Sequence, residues 1–141
     1  MAQEPISWKT SVGLNHVGAY QVSGQPFATG SINCIGGSAV KISFPNVTQW
    51  FIVFNNDTTV SNDVKIGFSE NGLSGNNFFT VPFLGGAPGL LASSGKIEVK
   101  VSEIWLTGSG DVDIVAGLTN IDSSRTSTAQ GSSWSGSAGV G

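Results

Sequence analysis

The sequence predicts an all-β protein, built as a single β-sandwich with a jelly-roll arrangement of its strands. Three observations predict this fold class. Short runs that alternate apolar with polar residues follow one another through residues 39–118, as half-buried strands do. Clusters of Asn, Gly and Ser separate these runs at the regular spacing of sandwiches and barrels. Helical periodicity is nearly absent, because Leu is sparse and Gly and β-branched residues interrupt most windows of helix length.

The sandwich is expected to contain about seven short strands. They are predicted over residues 40–44, 49–54, 63–69, 78–84, 95–101, 103–106 and 112–118. The second run is almost continuously apolar, which suits a strand buried on both faces or one whose outer face meets a partner. Pro82 interrupts the fourth run and indicates an edge strand or a bulge, because proline cannot donate to a sheet. Leu90 and Leu91 lie on the glycine-rich loop that follows, which is either a partner contact or a lid over the sandwich.

An N-terminal arm of residues 1–38 precedes the predicted sandwich and has almost no charge. Its large apolar side chains suit an extended segment that lies along another surface, for example as a strand added to a neighbour's sheet edge. The alternative is that the arm folds back on its own sandwich as extra strands. The arm residues predicted to form the interface are Trp8, Val17, Tyr20, Val22 and Phe27.

A C-terminal tail of residues 119–141 follows the sandwich and has the Gly/Ser-rich composition of a flexible linker. Trp134 is the exception, because a tryptophan is costly to leave exposed. It is a candidate anchor in a partner's pocket. The alternative is that Trp134 covers its own domain.

The composition favours a protein in contact with copies or partners. Charged residues are 11% of the 141 residues, against about 25% in typical globular domains. The net charge of −3 and the scattered lysines argue against a nucleic-acid partner, which needs clustered Lys and Arg. A basic start followed by an apolar run is missing, as is any stretch of membrane-helix length. We therefore expect a product of the cytoplasm with no membrane partner.

Catalytic and metal-binding patterns are weak, so no enzyme activity, cofactor or metal is expected. His16 is the single histidine and lies in the arm, whereas nucleophilic triads need one beside the nucleophile. Cys34 is the single cysteine and is expected to be a small buried hydrophobe. Asp111 and Asp113 could share one face of a strand, either as part of a cation site or as a solvated pair. Trp50, Trp105 and several asparagines could form a stacking and hydrogen-bonding site for a sugar, although core or interface packing of both tryptophans is the favoured interpretation.

Five stretches of the sequence carry a resemblance to a known group: VGLNHVGAYQVSGQPFATGSI, VTQWFIVFNNDTT, VKIGFSENG, VSEIWLTGSGDVDIVAGLTNI and SGSAGVG. They resemble small structural proteins of tailed bacteriophages, especially those of marine bacteria. The resemblance covers most of the chain and implies a virion component, such as a capsid decoration protein. Such proteins are often trimers that sit on the shell and stabilise it.

We therefore expect a non-enzymatic virion structural protein, made in the host cytoplasm, that binds and stabilises the capsid surface through contacts of its arms. The expected partners are the major capsid protein or other virion proteins, together with further copies of the chain, with a trimer favoured. The alternative is a receptor- or glycan-binding module associated with a tail or head fibre. Such a module would present an exposed aromatic and polar patch.

Overall fold

The computed structural model describes residues 13–15, 17–18, 24–59, 61–83 and 92–141. These residues fold mainly into strands. In chain order the elements are β1 (Gln25–Ile32), β2 (Val40–Ser43), β3 (Asn46–Asn55), β4 (Val64–Gly67), helix α1 (Glu70–Ser74), β5 (Phe78–Val81), β6 (Glu103–Thr107), β7 (Val112–Asp122), a 3-10 turn η1 (Ser123–Thr126), β8 (Ser127–Thr128) and β9 (Gly131–Ser132).

The strands pair antiparallel in two main sheets. One has the order β1-β7-β3 and the other the order β2-β6-β4-β5, while β8 and β9 form a small separate ladder. The all-β prediction is confirmed, and each predicted strand except 95–101 overlaps an observed strand. The edge position inferred from Pro82 is also confirmed, because β5 ends at Val81 and lies at the end of its sheet.

Residues 92–101 run along β3 without forming a regular ladder. Isolated bridges join Phe51 to Ile97 and Phe54 to Ser93. Near the other end, the buried hydroxyl of Thr48 comes between the two segments: its Oγ1 donates to Val99 O at 2.6 Å and accepts from Val101 N at 3.1 Å. The alternation correctly predicts which residues of this segment face the core. The ladder is irregular beside Thr48 because Val101 N donates to the Thr48 hydroxyl instead of to a backbone carbonyl.

One hydrophobic cluster takes side chains from both main sheets. Its buried members are Cys34, Phe44, Phe51, Val53, Val64, Ile66, Val81, Val101, Ile104, Leu106, Val112, Ile114, Ala116 and Leu118. Phe44, in the connection between β2 and β3, packs against two rings of the three-stranded sheet. Its ring centroid lies 5.1 Å from that of Phe27 and 6.5 Å from that of Phe51. Because each large buried side chain contributes roughly 2 kcal/mol, this shared core is the main force that holds the sheets together.

Strand β1 lies within the predicted N-terminal arm, yet it pairs with β7 of its own chain. Phe27 stands opposite Ala116 in this pairing and packs against the core. This stretch therefore follows the alternative left open by the sequence, in which the arm adds a strand to its own sheet. Strand β7 in turn continues into the predicted tail as far as Asp122, which pairs with Asn46.

The C-terminal tail also folds back on its own chain. Trp134 packs against the core, and its Nε1 donates to Phe68 O at 2.8 Å. Farther along, Ser69 Oγ lies 2.7 Å from Val140 O and 2.9 Å from Gly141 O. The same oxygen accepts from Gly72 N and so caps helix α1. The end of the tail is therefore tied to the start of this helix.

Candidate interaction surfaces

The three-stranded sheet has an apolar outward face. Strand alternation sends Phe27, Phe51 and Ala116 into the core, so their neighbours along each strand point the other way. Register rows then place Pro26, Gly117 and Trp50 side by side, followed by Ala28, Val115 and Ile52. We call Pro26, Ala28, Trp50, Ile52, Phe54 and Val115 the apolar sheet face.

The side chains of the apolar sheet face make no part of the core. Trp50, Ile52, Phe54 and Val115 are half-buried, and they are absent from the hydrophobic residues packed against the buried cluster. Among the described residues, charged side chains lie beside the face: Asp113 stands opposite Phe54 in the register of β7 and β3. Lys96 Nζ lies 6.0 Å from the ring centroid of Trp50. A surface of this kind, with apolar centre and polar border, has the composition of a contact surface.

The described residues include some of the predicted interface positions. Val17 is 72% exposed, Phe27 packs on the core from β1, and Trp134 covers its own domain, which is the alternative that the sequence left open. The structure therefore does not bring these side chains together into one patch. Trp8, Tyr20, Val22, Leu90 and Leu91 lie outside the described residues, and their interface roles stay predictions.

Sequence reasoning missed most of the apolar sheet face. The one local signal for it is the continuous apolar run in 49–54, for which an outer face against a partner is one of two interpretations. Pro26 and Ala28 lie in the stretch that the sequence predicts to be an arm. Their neighbour β7 is far away in sequence, so no local pattern indicated that these residues join Val115 on one face.

Polar side chains fasten the loops at one end of the sheets. Asp57 is central: its Oδ1 accepts from Thr59 N at 2.8 Å, and its Oδ2 accepts from Gly110 N at 2.8 Å and Asn62 Nδ2 at 2.9 Å. These donors, with the backbone of Thr59 first, lower the pKa of Asp57 from 3.8 to about 2. Because the bonds favour the ionised carboxylate, the side chain acts as a structural acceptor.

Asp113 likewise accepts hydrogen bonds from the protein. Ser31 N donates to its Oδ1 at 2.9 Å, and Asn56 Nδ2 donates to its Oδ2 at 2.7 Å. Its carboxylate thus ties β7 to β1 and to the loop after β3. Among the described residues no three or more His, Cys, Asp or Glu side chains are grouped so that they could hold a metal ion.

The single cysteine is placed as a structural residue. Cys34 is buried in the core cluster, and burial raises the pKa of its thiol. A buried thiol with a raised pKa is a poor nucleophile, because the thiolate is the reactive form. His16 lies outside the described residues.

A polar cleft lies on the outward face of the four-stranded sheet, beside Trp105. Helix α1 and the β8–β9 hairpin form its other walls, and its volume is about 230 Å³. Trp105 Nε1 donates to Glu103 Oε2 at 2.9 Å. Lys41 Nζ lies 3.8 Å from Glu103 Oε1 and 5.9 Å from the centroid of the indole ring. The cleft thus combines an aromatic ring with carboxylate, ammonium and amide groups.

Comparison with known proteins gives no family assignment: no family model matches the chain, and no curated protein or solved structure is significantly similar to it. In the described part of the chain, no helix is long and apolar enough to cross a membrane.

Proposed function

We propose that this chain is a non-enzymatic structural protein of a virion, which decorates the capsid and stabilises its surface. The observation that carries the proposal is the apolar sheet face. An apolar patch that does not belong to the core is unfavourable in water and becomes favourable when a partner covers it. The low content of charged residues, 11%, agrees with a molecule held mainly by contact.

The finer fold proposal is a jelly-roll β-sandwich, and the strand order supports it. Residues 92–101 lie along the edge of β3 that β7 leaves free. Counted as the sixth strand, they make β6 the seventh and β7 the eighth. One sheet then has the order first, eighth, third, sixth, and the other has second, seventh, fourth, fifth. Two Greek keys folded together produce this order, which is that of a jelly roll.

The fold adds an analogy to the proposal. Jelly rolls occur in viral capsid proteins and in lectins, but a fold alone does not define a function. The choice of a capsid role therefore rests on the apolar sheet face and on the resemblance to phage structural proteins. The partners proposed are the major capsid protein and further copies of this chain, as a trimer.

The position of the contact differs from the one first expected. The arm was expected to make the contacts, but β1 belongs to the sheet of its own chain. Pro26 and Ala28 from that stretch share the register rows of Trp50 and Ile52 on the apolar sheet face, with β7 between them. The proposed contact is therefore a sheet face to which the arm contributes, and many copies on one shell would add their individual stabilisation.

A pair of lysine substitutions tests the proposal. Ile52→Lys places a charge in the middle of the apolar sheet face, whereas Thr80→Lys places the same charge on an exposed position of β5, in the other sheet. We expect Ile52→Lys to weaken binding to purified shells of the parent phage by at least about tenfold, as a central interface residue does. Thr80→Lys is expected to bind as the wild type does. Co-sedimentation with the shells measures both.

Folding controls keep this test decisive. Circular dichroism and thermal unfolding establish that each variant is folded, and Val115→Thr provides a milder, nearly isosteric change of the same face. Unchanged shell occupancy for folded Ile52→Lys and Val115→Thr would refute the proposed contact. Light scattering after gel filtration tests the trimer, which a monomeric mass at working concentration would contradict.

A further inference from the structure

We propose that the cleft beside Trp105 binds a neutral oligosaccharide. This inference goes beyond the capsid role and does not depend on it, because the cleft lies on the four-stranded sheet and the apolar sheet face lies on the other.

The indole ring of Trp105 is held in a fixed orientation on the outward face of the sheet. It stands between Lys41 of β2 and Gly67 of β4 in the strand register. Its N–H is directed to Glu103, so the ring cannot rotate without losing that bond. A half-buried indole with an engaged N–H presents an apolar surface and a polar edge together. The C–H face of a sugar ring fits such a surface.

Polar groups surround the indole at several angles. Glu103 is only 15% exposed as a side chain; its Oε2 accepts from Trp105 Nε1, and its Oε1 forms an ion pair with Lys41 Nζ at 3.8 Å. Its carboxylate lines the cleft. Asn71 from α1 and Gln130 from the β8–β9 turn line the opposite walls. Small-ligand sites commonly combine an apolar surface with a few polar groups in fixed positions, and sugar hydroxyls both donate to carboxylates and accept from amides.

A second cavity that also has a lining residue on β6 favours an oligosaccharide over a single sugar. A second cavity, of about 310 Å³, lies beyond Glu70 and includes Thr107 in its lining. Glu70 lines both cavities. Glu103, Trp105 and Thr107 are alternate residues of one strand, so they span about 14 Å along the sheet. A ligand of two or more sugar units can therefore contact both cavities.

The charges of the cleft argue against an anionic ligand. Among the described residues that line the two cavities, Lys41 is the one cationic side chain, and Glu103 is paired with it. Glu70 adds a further carboxylate between the cavities. A sialylated sugar, a uronic acid or a nucleotide phosphate would meet these carboxylates and be repelled, since close like charges are unfavourable. A neutral sugar avoids this repulsion and still uses the carboxylates as acceptors.

Nuclear magnetic resonance on the whole chain tests the inference directly. Neutral di- to tetrasaccharides of glucose, galactose, mannose and N-acetylglucosamine are titrated into labelled protein, and sialyllactose and a uronic-acid disaccharide form the anionic set. We expect at least one neutral sugar to shift the indole N–H signal of Trp105, assigned with Trp105→Phe. The signals of Asn71 and Gln130 should shift with it.

Variants then locate the site. Trp105→Ala is expected to weaken binding of that sugar by about tenfold or more, as loss of a central aromatic contact does, and Glu103→Gln should weaken it as well. The matched control is Phe78→Ala, an aromatic of the same sheet face on β5 that does not line the cleft; its affinity should equal that of the wild type. If Trp105→Ala does not fold, Glu103→Gln and the wild-type shifts decide the matter.

Three results would overturn the inference. One is that no neutral sugar shifts the Trp105 signal at millimolar concentration. A second is that folded Trp105→Ala and Glu103→Gln bind the sugar as tightly as Phe78→Ala. The third is preferential binding of the anionic set, which would contradict the argument from charge.

Discussion

The hydroxyl of Thr48 should contribute several kcal/mol to the free energy of unfolding, because it joins residues 92–101 to β3. Thr48→Val keeps the shape of the side chain and removes the oxygen. The bond from Oγ1 to Val99 O and the bond from Val101 N to Oγ1 are then both lost. Each such bond contributes about 1 kcal/mol net, and an unsatisfied buried N–H costs a further 1–3 kcal/mol or so. Val101 is buried, so its N–H carries that penalty, whereas Val99 is half-buried and its carbonyl can reach water more easily.

The expected loss of unfolding free energy for Thr48→Val is therefore roughly 3 kcal/mol. With a urea slope of about 2 kcal/mol per molar, the midpoint of urea unfolding would fall by roughly 1.5 M. Thr80→Val is the control, because Thr80 is exposed on β5 and should change stability by less than about 0.5 kcal/mol. Hydrogen exchange should also become faster at Ile97, whose amide bonds to Phe51 O farther along β3 from Thr48. If Thr48→Val lowers the unfolding free energy no more than Thr80→Val does, the Thr48 hydroxyl does not join residues 92–101 to β3.

The remaining predictions concern the loops and the tail. The folded pKa of Asp57, about 2, lies below the ordinary value of 3.8, so its stabilisation is complete above about pH 4 and is lost as the pH falls towards 2. The stability difference between wild type and Asp57→Asn, measured by urea unfolding, should therefore shrink over that range, and a constant difference would contradict the assignment. Gly72→Ala should displace the tail, because a Cβ there would lie 2.3 Å from Val140 O; limited proteolysis should then cleave the tail faster. Gly75→Ala is the control, because a Cβ there meets Asn71 O at an ordinary 3.5 Å, and it should leave the cleavage rate of the tail unchanged. Trp134→Phe removes the bond to Phe68 O and should cost about 1 kcal/mol in thermal unfolding; no shift in melting temperature would count against that bond.

The strands of the central region could be predicted because their signal is local. Alternation and turn residues located six of the predicted strands, and Pro82 located an edge. The exception, 95–101, has the predicted facing, with Ile97 and Val99 against the core. Its irregular pairing depends on Thr48, a residue about fifty positions away. No local pattern reports such a contact.

The ends of the chain were harder to predict for the same physical reason. Residues 119–141 have the composition of a linker. In the structure, however, Trp134 donates to Phe68 O, and Ser69 Oγ hydrogen-bonds to the carbonyls of the last two residues. Composition describes what a segment does in water alone, whereas these contacts need a surface that only the folded sheets provide. The cleft at Trp105 likewise combines β6, α1 and the β8–β9 turn, so the sequence could indicate an aromatic and polar site but not its members.

The central proposal is that this protein binds a phage capsid through the apolar sheet face. A cryo-electron microscopy reconstruction of shells of the parent phage carrying the bound protein tests it most directly. We expect Trp50, Ile52 and Val115 to be covered by the shell or by a neighbouring copy. A reconstruction in which the protein is bound and these three side chains face solvent would contradict it.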